Sequence, residues 1–307
     1  MIAAVLDLAF LCLMPVLLNG VINRTRSLWS GRKGPPLFQL AFDLRRLLAK
    51  SPVYSQTTTI VFRVAPYVFF FTALASAAIV PFDASTPLVS FPLDFVWLAY
   101  AWGLGRVALM LAALDTGSSF EGMGATREAT YAALLEPAFF LAVGALSWVS
   151  HQTSLAGSLT AATGNLAGDL VHAAAAAALF VVLQVETGRL PVDDPSTHLE
   201  LTMIHEVMVL DTSGPELAAI QLANAIKLSV GAALIATLLN PLAGAKTMAA
   251  AAANALLCFA VAIVLGTVES LIARFKLAKV PLYIGGAVAM GVAAVALSAC
   301  SVGGLRP

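Results

Sequence analysis

Eight stretches of about 20 mostly apolar residues dominate this sequence of 307 residues, and each is long enough to cross a bilayer as a helix. With 60% apolar and only 11% charged residues, the composition excludes a soluble domain and a disordered chain. A net charge of zero also argues against nucleic-acid binding. We therefore predict an all-α polytopic membrane protein, one integral membrane domain over 1–307. The predicted spans are 2–22, 60–81, 93–114, 129–150, 166–186, 218–240, 249–271 and 281–301.

The basic residues divide the connecting loops into two sets. Only Lys246 and Arg306 fall in one set, which comprises 82–92, 151–165, 241–248 and the C-terminal tail. The other set holds Arg24, Arg26, Arg32, Lys33, Arg45, Arg46, Lys50, Arg127, Arg189, Arg274, Lys276 and Lys279. Because basic loops stay in the cytoplasm, this bias predicts that both termini lie outside and that the long loops are cytoplasmic.

Two of the cytoplasmic loops, 23–59 and 187–217, are longer than a connection requires. In the first, leucines recur at helical spacing over 37–48, with Asp43 and basic residues largely on the opposite face. This pattern predicts a short amphipathic helix, which either lies in the membrane interface or packs on its own protein. The second loop is the most polar segment of the chain, and we expect partners to dock there.

Several ionisable residues fall within or beside the predicted spans, where an unpaired charge is costly. They are Arg63, Arg106, Glu128, Glu136, Asp169, Glu186, Lys227 and Glu269. Two interpretations remain open, namely structural ion pairs and a proton relay through carboxylates. We favour a functional role for Glu136 and Glu186, because each is followed by a residue that opens the helix backbone, Pro137 and Gly188. Asp7 is expected to cap or snorkel at an outer helix end.

No cofactor site is evident in the sequence. The three cysteines are scattered, so they cannot build an iron–sulfur cluster or a structural zinc site. His198 and His205 are seven residues apart without a third ligand nearby, which makes a metal site between them improbable. The sequence also lacks a P-loop, a dinucleotide fingerprint and a serine-hydrolase motif. We therefore expect no catalytic residue and no bound metal in this chain, and any redox centre would belong to another chain.

Three long motifs resemble the membrane subunit shared by respiratory complex I, where it is subunit 1, and the group 4 [NiFe] hydrogenases. They are GRKGPPLFQLAFDLRRLLAK (31–50), LDTGSSFEGMGATREA (114–129) and ETGRLPVDDPSTHLELTMIHE (186–206). The last two are most similar to the hydrogenase-4 component C and formate hydrogenlyase branch. In complex I the third motif carries two further glutamates, which are Ser196 and His198 here. A functional quinone site is therefore doubtful.

The resemblance implies a bacterial or archaeal plasma-membrane subunit that anchors a redox module and couples it to proton or sodium translocation. The cofactors, a [NiFe] centre and iron–sulfur clusters, are then expected on a large and a small partner subunit, with antiporter-like subunits in the membrane. Glu136, Glu186, Asp193 and Glu200 match the family's acidic path, whereas Glu128 stands where complex I often has glutamine. We add Glu128 to this path, together with Arg106, Lys227 and Glu269 as pairing groups. The predicted docking residues are Arg32, Lys33, Asp43, Arg189, Asp194, His198, His205 and Glu206.

Two alternatives remain. One is the quinone-site subunit of a complex I-like dehydrogenase, and the other is a stand-alone ion transporter. The long polar loop argues against the transporter, and so does the lack of two matching halves.

Overall fold

The computed structural model describes residues 2–161, 166–193 and 203–303, and within these ranges the chain is helical without any strand. Eight of its helices are long and apolar enough to cross a membrane, which confirms the prediction of an all-α integral membrane protein. The α-helices are α1 (Ile2–Trp29), α2 (Gln39–Leu48), α3 (Ile60–Ala77), α4 (Asp94–Asp115), α5 (Ser119–Ser150), α6 (Leu155–Thr160), α7 (Leu166–Glu186), α8 (Gly214–Leu239), α9 (Met248–Leu271) and α10 (Val280–Gly303).

Helix α8 lies at the centre of the bundle. It is in contact with α1, α3, α7 and α9, and most of its length is buried. Helix α10 packs on the other side of α7 and against α5, while α4 packs between α3 and α5. Small residues permit the close approach, since a Cβ on Gly231 of α8 would lie 2.4 Å from Leu183 of α7. Side chains on every face of α8 therefore contact neighbouring helices in the interior of the bundle.

The largest correction to the predicted bounds concerns α5. It begins at Ser119, not at 129, so the predicted loop 115–128 is mostly helix and Glu128 lies well inside α5, not at its start. Hydropathy missed these turns because they are polar and pack against a loop, where a Cβ on Gly124 would lie 2.4 Å from Val207. Helix α1 likewise continues to Trp29, beyond the predicted boundary at 22.

The predicted amphipathic helix is α2. It packs on α8 and α1, which supports the interpretation that it covers its own protein. Phe42 and Leu48 on α2 nevertheless remain exposed, as does Phe38 just before it. These apolar side chains suit contact with the membrane interface, so both interpretations of this helix are compatible with the structure.

Candidate functional site

Four charged side chains from four helices form a chain of contacts inside the bundle, called here the membrane cluster. Arg106 of α4 donates to Glu136 of α5 at 2.7 Å and to Glu186 of α7 at 3.1 Å. Lys227 of α8 donates to the other oxygen of Glu186 at 2.7 Å. The side chains of Lys227 and Glu186 are only 2% and 3% exposed, whereas Glu136 is 47% exposed. The cluster therefore runs from a closed interior towards a more open position at Glu136.

Aromatic rings complete the surroundings of Lys227. Its Nζ lies 5.1 Å from the ring centre of Phe69 and 5.3 Å from that of Trp102. The Trp102 indole N–H in turn donates to Ser76 at 3.0 Å, which fixes the ring. A buried cation thus has one carboxylate and two ring faces to offset its lost hydration. The two cations and two carboxylates of the membrane cluster balance, as the structural ion-pair interpretation requires.

A second group of charges, the loop cluster, joins the polar loop to α5. His205 lies 3.2 Å from the Glu128 carboxylate and 3.6 Å from that of Asp193. Asp193 also accepts the backbone N–H groups of Ile204 and His205 at 3.0 and 2.9 Å, and Arg274 approaches it at 3.3 Å. These contacts tie together the two ends of the loop on either side of 194–202.

The loop cluster strongly favours a charged imidazole. Burial alone would lower the pKa of His205, but the charges of Glu128 and Asp193 outweigh it and raise the pKa to about 9. For Asp193, burial opposes ionisation, yet contacts with His205 and backbone N–H donors bring its pKa below the ordinary value. His205 therefore acts as a fixed positive charge between two carboxylates at neutral pH.

One small cavity faces both clusters. Its volume is about 60 Å³, and Arg106, Glu128, Glu186, His205 and Lys227 all line it. A cavity needs roughly 10–15 Å³ of such volume to hold one water molecule, so a few waters fit between these charged groups. The sequence placed Glu128 in the acidic path and His205 in the docking loop, but the structure brings the two together with Glu186 around one space.

Glu269 belongs to a separate cluster near the end of α9. Arg189 donates to it at 2.9 Å and to Asn19 of α1 at 2.6 Å, and Arg26 lies 3.4 Å from its second oxygen. Arg189 was predicted to face a docking partner, but its side chain is only 15% exposed and bonds inward. This cluster fastens the loop to α1 and α9 and does not line the cavity.

The remaining predicted docking residues have different surroundings. Arg32 and Lys33 are exposed between α1 and α2, and Glu206 is exposed in the short turn Glu206–Val209. Asp43 bonds to Gln39 and Arg46 on its own helix. The docking residues Asp194 and His198 lie outside the described residues, and so does Glu200 of the predicted acidic path. Within the described ranges, no group of three or more His, Cys, Asp or Glu side chains could hold a metal ion.

The sequence analysis missed the contacts of Arg274 and Gly188, although it named Gly188 as the residue that opens the backbone after Glu186. Arg274 entered the sequence argument only as a loop charge, yet it contacts Asp193, which is 81 residues away in the chain. Gly188 has a positive φ of 58°, and a Cβ there would lie 2.8 Å from the His205 ring. A glycine in the turn that ends a spanning helix was the available signal, because such turns often require positive φ.

Substitution of Gly188 by alanine is expected to displace His205 and to weaken the loop cluster. Gly31→Ala is a matched control, since Gly31 has a similar φ of 65° but open space around it. Both variants carry the strain of a left-handed backbone, about 1–3 kcal/mol, and only Gly188→Ala adds the collision. In thermal unfolding of the purified protein, Gly188→Ala should be clearly less stable than Gly31→Ala. Equal losses would mean that the His205 ring does not depend on Gly188.

Comparison with known proteins relates this chain to a single protein family. The family model described as NADH dehydrogenase matches residues 2–300. Hydrogenase-4 component C of Escherichia coli (strain K12) is 26% identical over 250 residues, which cover 81% of this chain and 78% of that protein. Formate hydrogenlyase subunit 4 of the same organism is 30% identical over 195 residues, 60% of this chain and 61% of the relative.

The fold also matches a solved structure. A chain of the membrane-bound sulfane sulfur reductase, described as an archaeal respiratory membrane complex, aligns with a TM-score of 0.79. The match covers 97% of this chain and 100% of the other at 17% sequence identity, and it therefore speaks for the fold alone. The two Escherichia coli relatives are named as a component and as a subunit, so each is one part of a larger complex.

Proposed function

Because this chain belongs to the NADH dehydrogenase family and resembles its hydrogenase-4 and formate hydrogenlyase relatives, we propose that it is the membrane-anchoring and energy-coupling subunit of a group 4 [NiFe] hydrogenase-type complex. Its cytoplasmic partners are then a [NiFe] large subunit and an iron–sulfur small subunit, which carry the cofactors. Its partners in the membrane are antiporter-like subunits. In this proposal the complex lies in a bacterial or archaeal plasma membrane, with the long loops in the cytoplasm and both termini outside.

The observation that carries the proposal is the shared cavity. It places His205 and Glu128 of the loop cluster beside Glu186, Lys227 and Arg106 of the membrane cluster. A redox partner that docks on loop 187–217 can shift the loop or change the field at His205. Each buried carboxylate senses such a change as a change in its proton affinity. The membrane cluster then carries that change towards Glu136, the most exposed of its four groups.

The cavity supports this proposal over a quinone site. Pockets for drug-sized ligands measure roughly 300–1,000 Å³, whereas this cavity, as the described residues enclose it, has about 60 Å³. Charged side chains from several elements converge on it, which suits water and protons better than a quinone ring with an apolar tail. A stand-alone transporter would in turn leave the long, polar loop of the sequence without a docking partner.

Purification of the chain from native membranes in mild detergent tests the proposed partners. We expect a large and an iron–sulfur small subunit, antiporter-like subunits, and both nickel and iron by elemental analysis. An assembly with iron but no nickel would indicate that the chain is a subunit of another kind of redox complex. A chain that purifies alone under conditions that preserve other membrane complexes would contradict the proposal.

Substitution of Glu136 by glutamine is expected to uncouple the complex without disrupting it. Glu136 is half-exposed, and Arg106 keeps Glu186 as a partner when the Glu136 charge is removed. The number of ions moved per electron should fall sharply, because the path loses its most exposed carboxylate, while electron transfer continues. Asp211→Asn is the control, because Asp211 is an exposed acidic residue of loop 187–217 that belongs to neither cluster. Unchanged ion movement in assembled Glu136→Gln would remove Glu136 from the path.

A further inference from the structure

A second buried acidic site lies at the opposite end of α1 from the Glu269 cluster. Asp7 is 1% exposed, although the sequence predicted a residue that caps or snorkels. One carboxylate oxygen, Oδ1, accepts the backbone N–H of Asp83 at 3.1 Å. The other, Oδ2, is buried and has no hydrogen-bond partner among the described residues. An unpaired buried oxygen of this kind requires an explanation, since leaving it bare is costly.

The segment that faces Asp7 is held rigidly. Residues 79–84, which follow α3, are buried, and three of their carbonyl groups accept hydrogen bonds from other elements. Pro81 accepts from Thr237 of α8 at 3.3 Å, and Phe82 accepts from Asn254 of α9 at 2.9 Å. Ala84 accepts from the backbone of Gly244 at 2.8 Å. These bonds hold the segment in place, and with it the backbone N–H of Asp83 that Asp7 accepts.

The charges near Asp7 do not balance within the described part of the chain. Asp83 is 5% exposed, and its carboxylate accepts only from neutral groups, the backbone and hydroxyl of Ser85 and the backbone of Thr86. The polar side chains that α8 and α9 bring to this segment, Thr237 and Asn254, are also uncharged. No described Lys, Arg or His forms an ion pair with either aspartate. Two neighbouring buried carboxylates without a counter-charge cannot both remain bare anions.

We propose that Asp7 and Asp83 together hold one exchangeable cation, a proton or Na⁺, bound at the free Oδ2 of Asp7. A proton there would turn Asp7 into a neutral acid. Na⁺ would find the carboxylate oxygens that a hard cation prefers, beside a backbone segment that is held in place. In the orientation proposed above, the site faces the outside and is separate from the cytoplasmic clusters. Cation binding here follows from the burial of the two aspartates and the missing counter-charge. It does not depend on whether the chain couples a redox reaction.

The test measures stability beside the site in the purified complex. Cys258 of α9 is 2% exposed and lies one turn after Asn254, so its reactivity with a maleimide, followed by peptide mass spectrometry, reports local opening. The measured quantity is the temperature at which half of Cys258 becomes labelled in a fixed time. It is determined at pH 6 and pH 9, with sodium chloride or with choline chloride at equal ionic strength. The proteins are the wild type, Asp7→Asn, Asp83→Asn and Asp94→Asn. Asp94 is the control because it is fully buried but bonded to the backbone of Leu155.

In choline chloride, the wild type should lose at least about 3 °C between pH 6 and pH 9 relative to Asp7→Asn, which carries no charge to neutralise. Asp83→Asn should show a smaller loss than the wild type, and Asp94→Asn should keep the wild-type loss. Recovery at pH 9 on adding sodium would identify Na⁺, and no effect of sodium would identify the proton. Wild type and Asp7→Asn that respond equally to pH and sodium would overturn the proposal. If Asp7→Asn does not fold, the proposal would be overturned by a wild type and an Asp83→Asn variant that respond equally to pH and sodium.

Discussion

Glu186→Gln is expected to prevent stable assembly of this protein. Glu186 is the only carboxylate among the described residues that contacts Lys227, and it also holds Arg106. Its removal leaves a buried ammonium group with only two aromatic rings and an amide. Breaking a buried ion pair from one side costs about 3–5 kcal/mol, against a total stability of roughly 5–15 kcal/mol. The amount of folded chain in the membrane and its thermal midpoint should both fall sharply.

The double variant Glu186→Gln/Lys227→Met separates the lost charge balance from the lost carboxylate. Methionine suits the space between Phe69 and Trp102, and Arg106 retains Glu136. Replacement of a buried ion pair by neutral groups is often close to neutral in free energy. We therefore expect the double variant to recover most of the stability that Glu186→Gln loses. Glu186→Gln that assembles like the wild type would contradict the ion-pair network.

The loop cluster predicts a stability that depends on pH. The pKa of His205 rises from 6.5 to about 9 on folding, so its stabilising effect is fully present below pH 6.5. It is lost as the pH rises through about 9, because the folded state then releases the proton that it held more tightly. A pKa rise of this size corresponds to about 3–4 kcal/mol, and solvent screening at a side chain that is 22% exposed reduces this to about 2–3 kcal/mol.

His205→Gln should therefore be less stable than the wild type at pH 6, and the difference should shrink towards pH 9.5. This stability difference is measured by thermal unfolding of the wild type and the variant at both pH values. His151→Asn is the control, since His151 is exposed at the end of α5 and asparagine tolerates its φ of 54°. A constant difference between wild type and His205→Gln would show that folding does not raise the pKa of His205.

The spanning helices could be predicted from sequence because lipid offers the backbone no hydrogen-bond partners. A segment that crosses it must therefore be helical and apolar over about 20 residues. Apolar length alone located α7, and it located α4 and α9 to within one residue. It failed at the start of α5, where polar turns are buried by the loop around Val207 and not by lipid. Hydropathy reports the solvent that a helix faces, and it cannot detect a polar helix segment that packs beneath another segment of the same protein.

The charged residues of the site were found from sequence, but their partners were not. Arg106, Glu186 and Lys227 stood out because ions are costly within a span. Which of them meet depends on the rotation of α4, α7 and α8 about their axes, which packing decides. The pairing of His205 with Glu128 requires the loop to fold back onto α5, and no spacing in the sequence encodes that contact.

The ratio of ions moved to electrons transferred, in the complex reconstituted into sealed vesicles, tests the coupling role most directly. The variant to compare with the wild type is Glu186→Gln/Lys227→Met, which is expected to stay folded while it lacks the centre of the membrane cluster. Our account predicts that electron transfer persists and that the ratio collapses. A double variant that moves as many ions per electron as the wild type would show that coupling does not pass through Glu186 and Lys227.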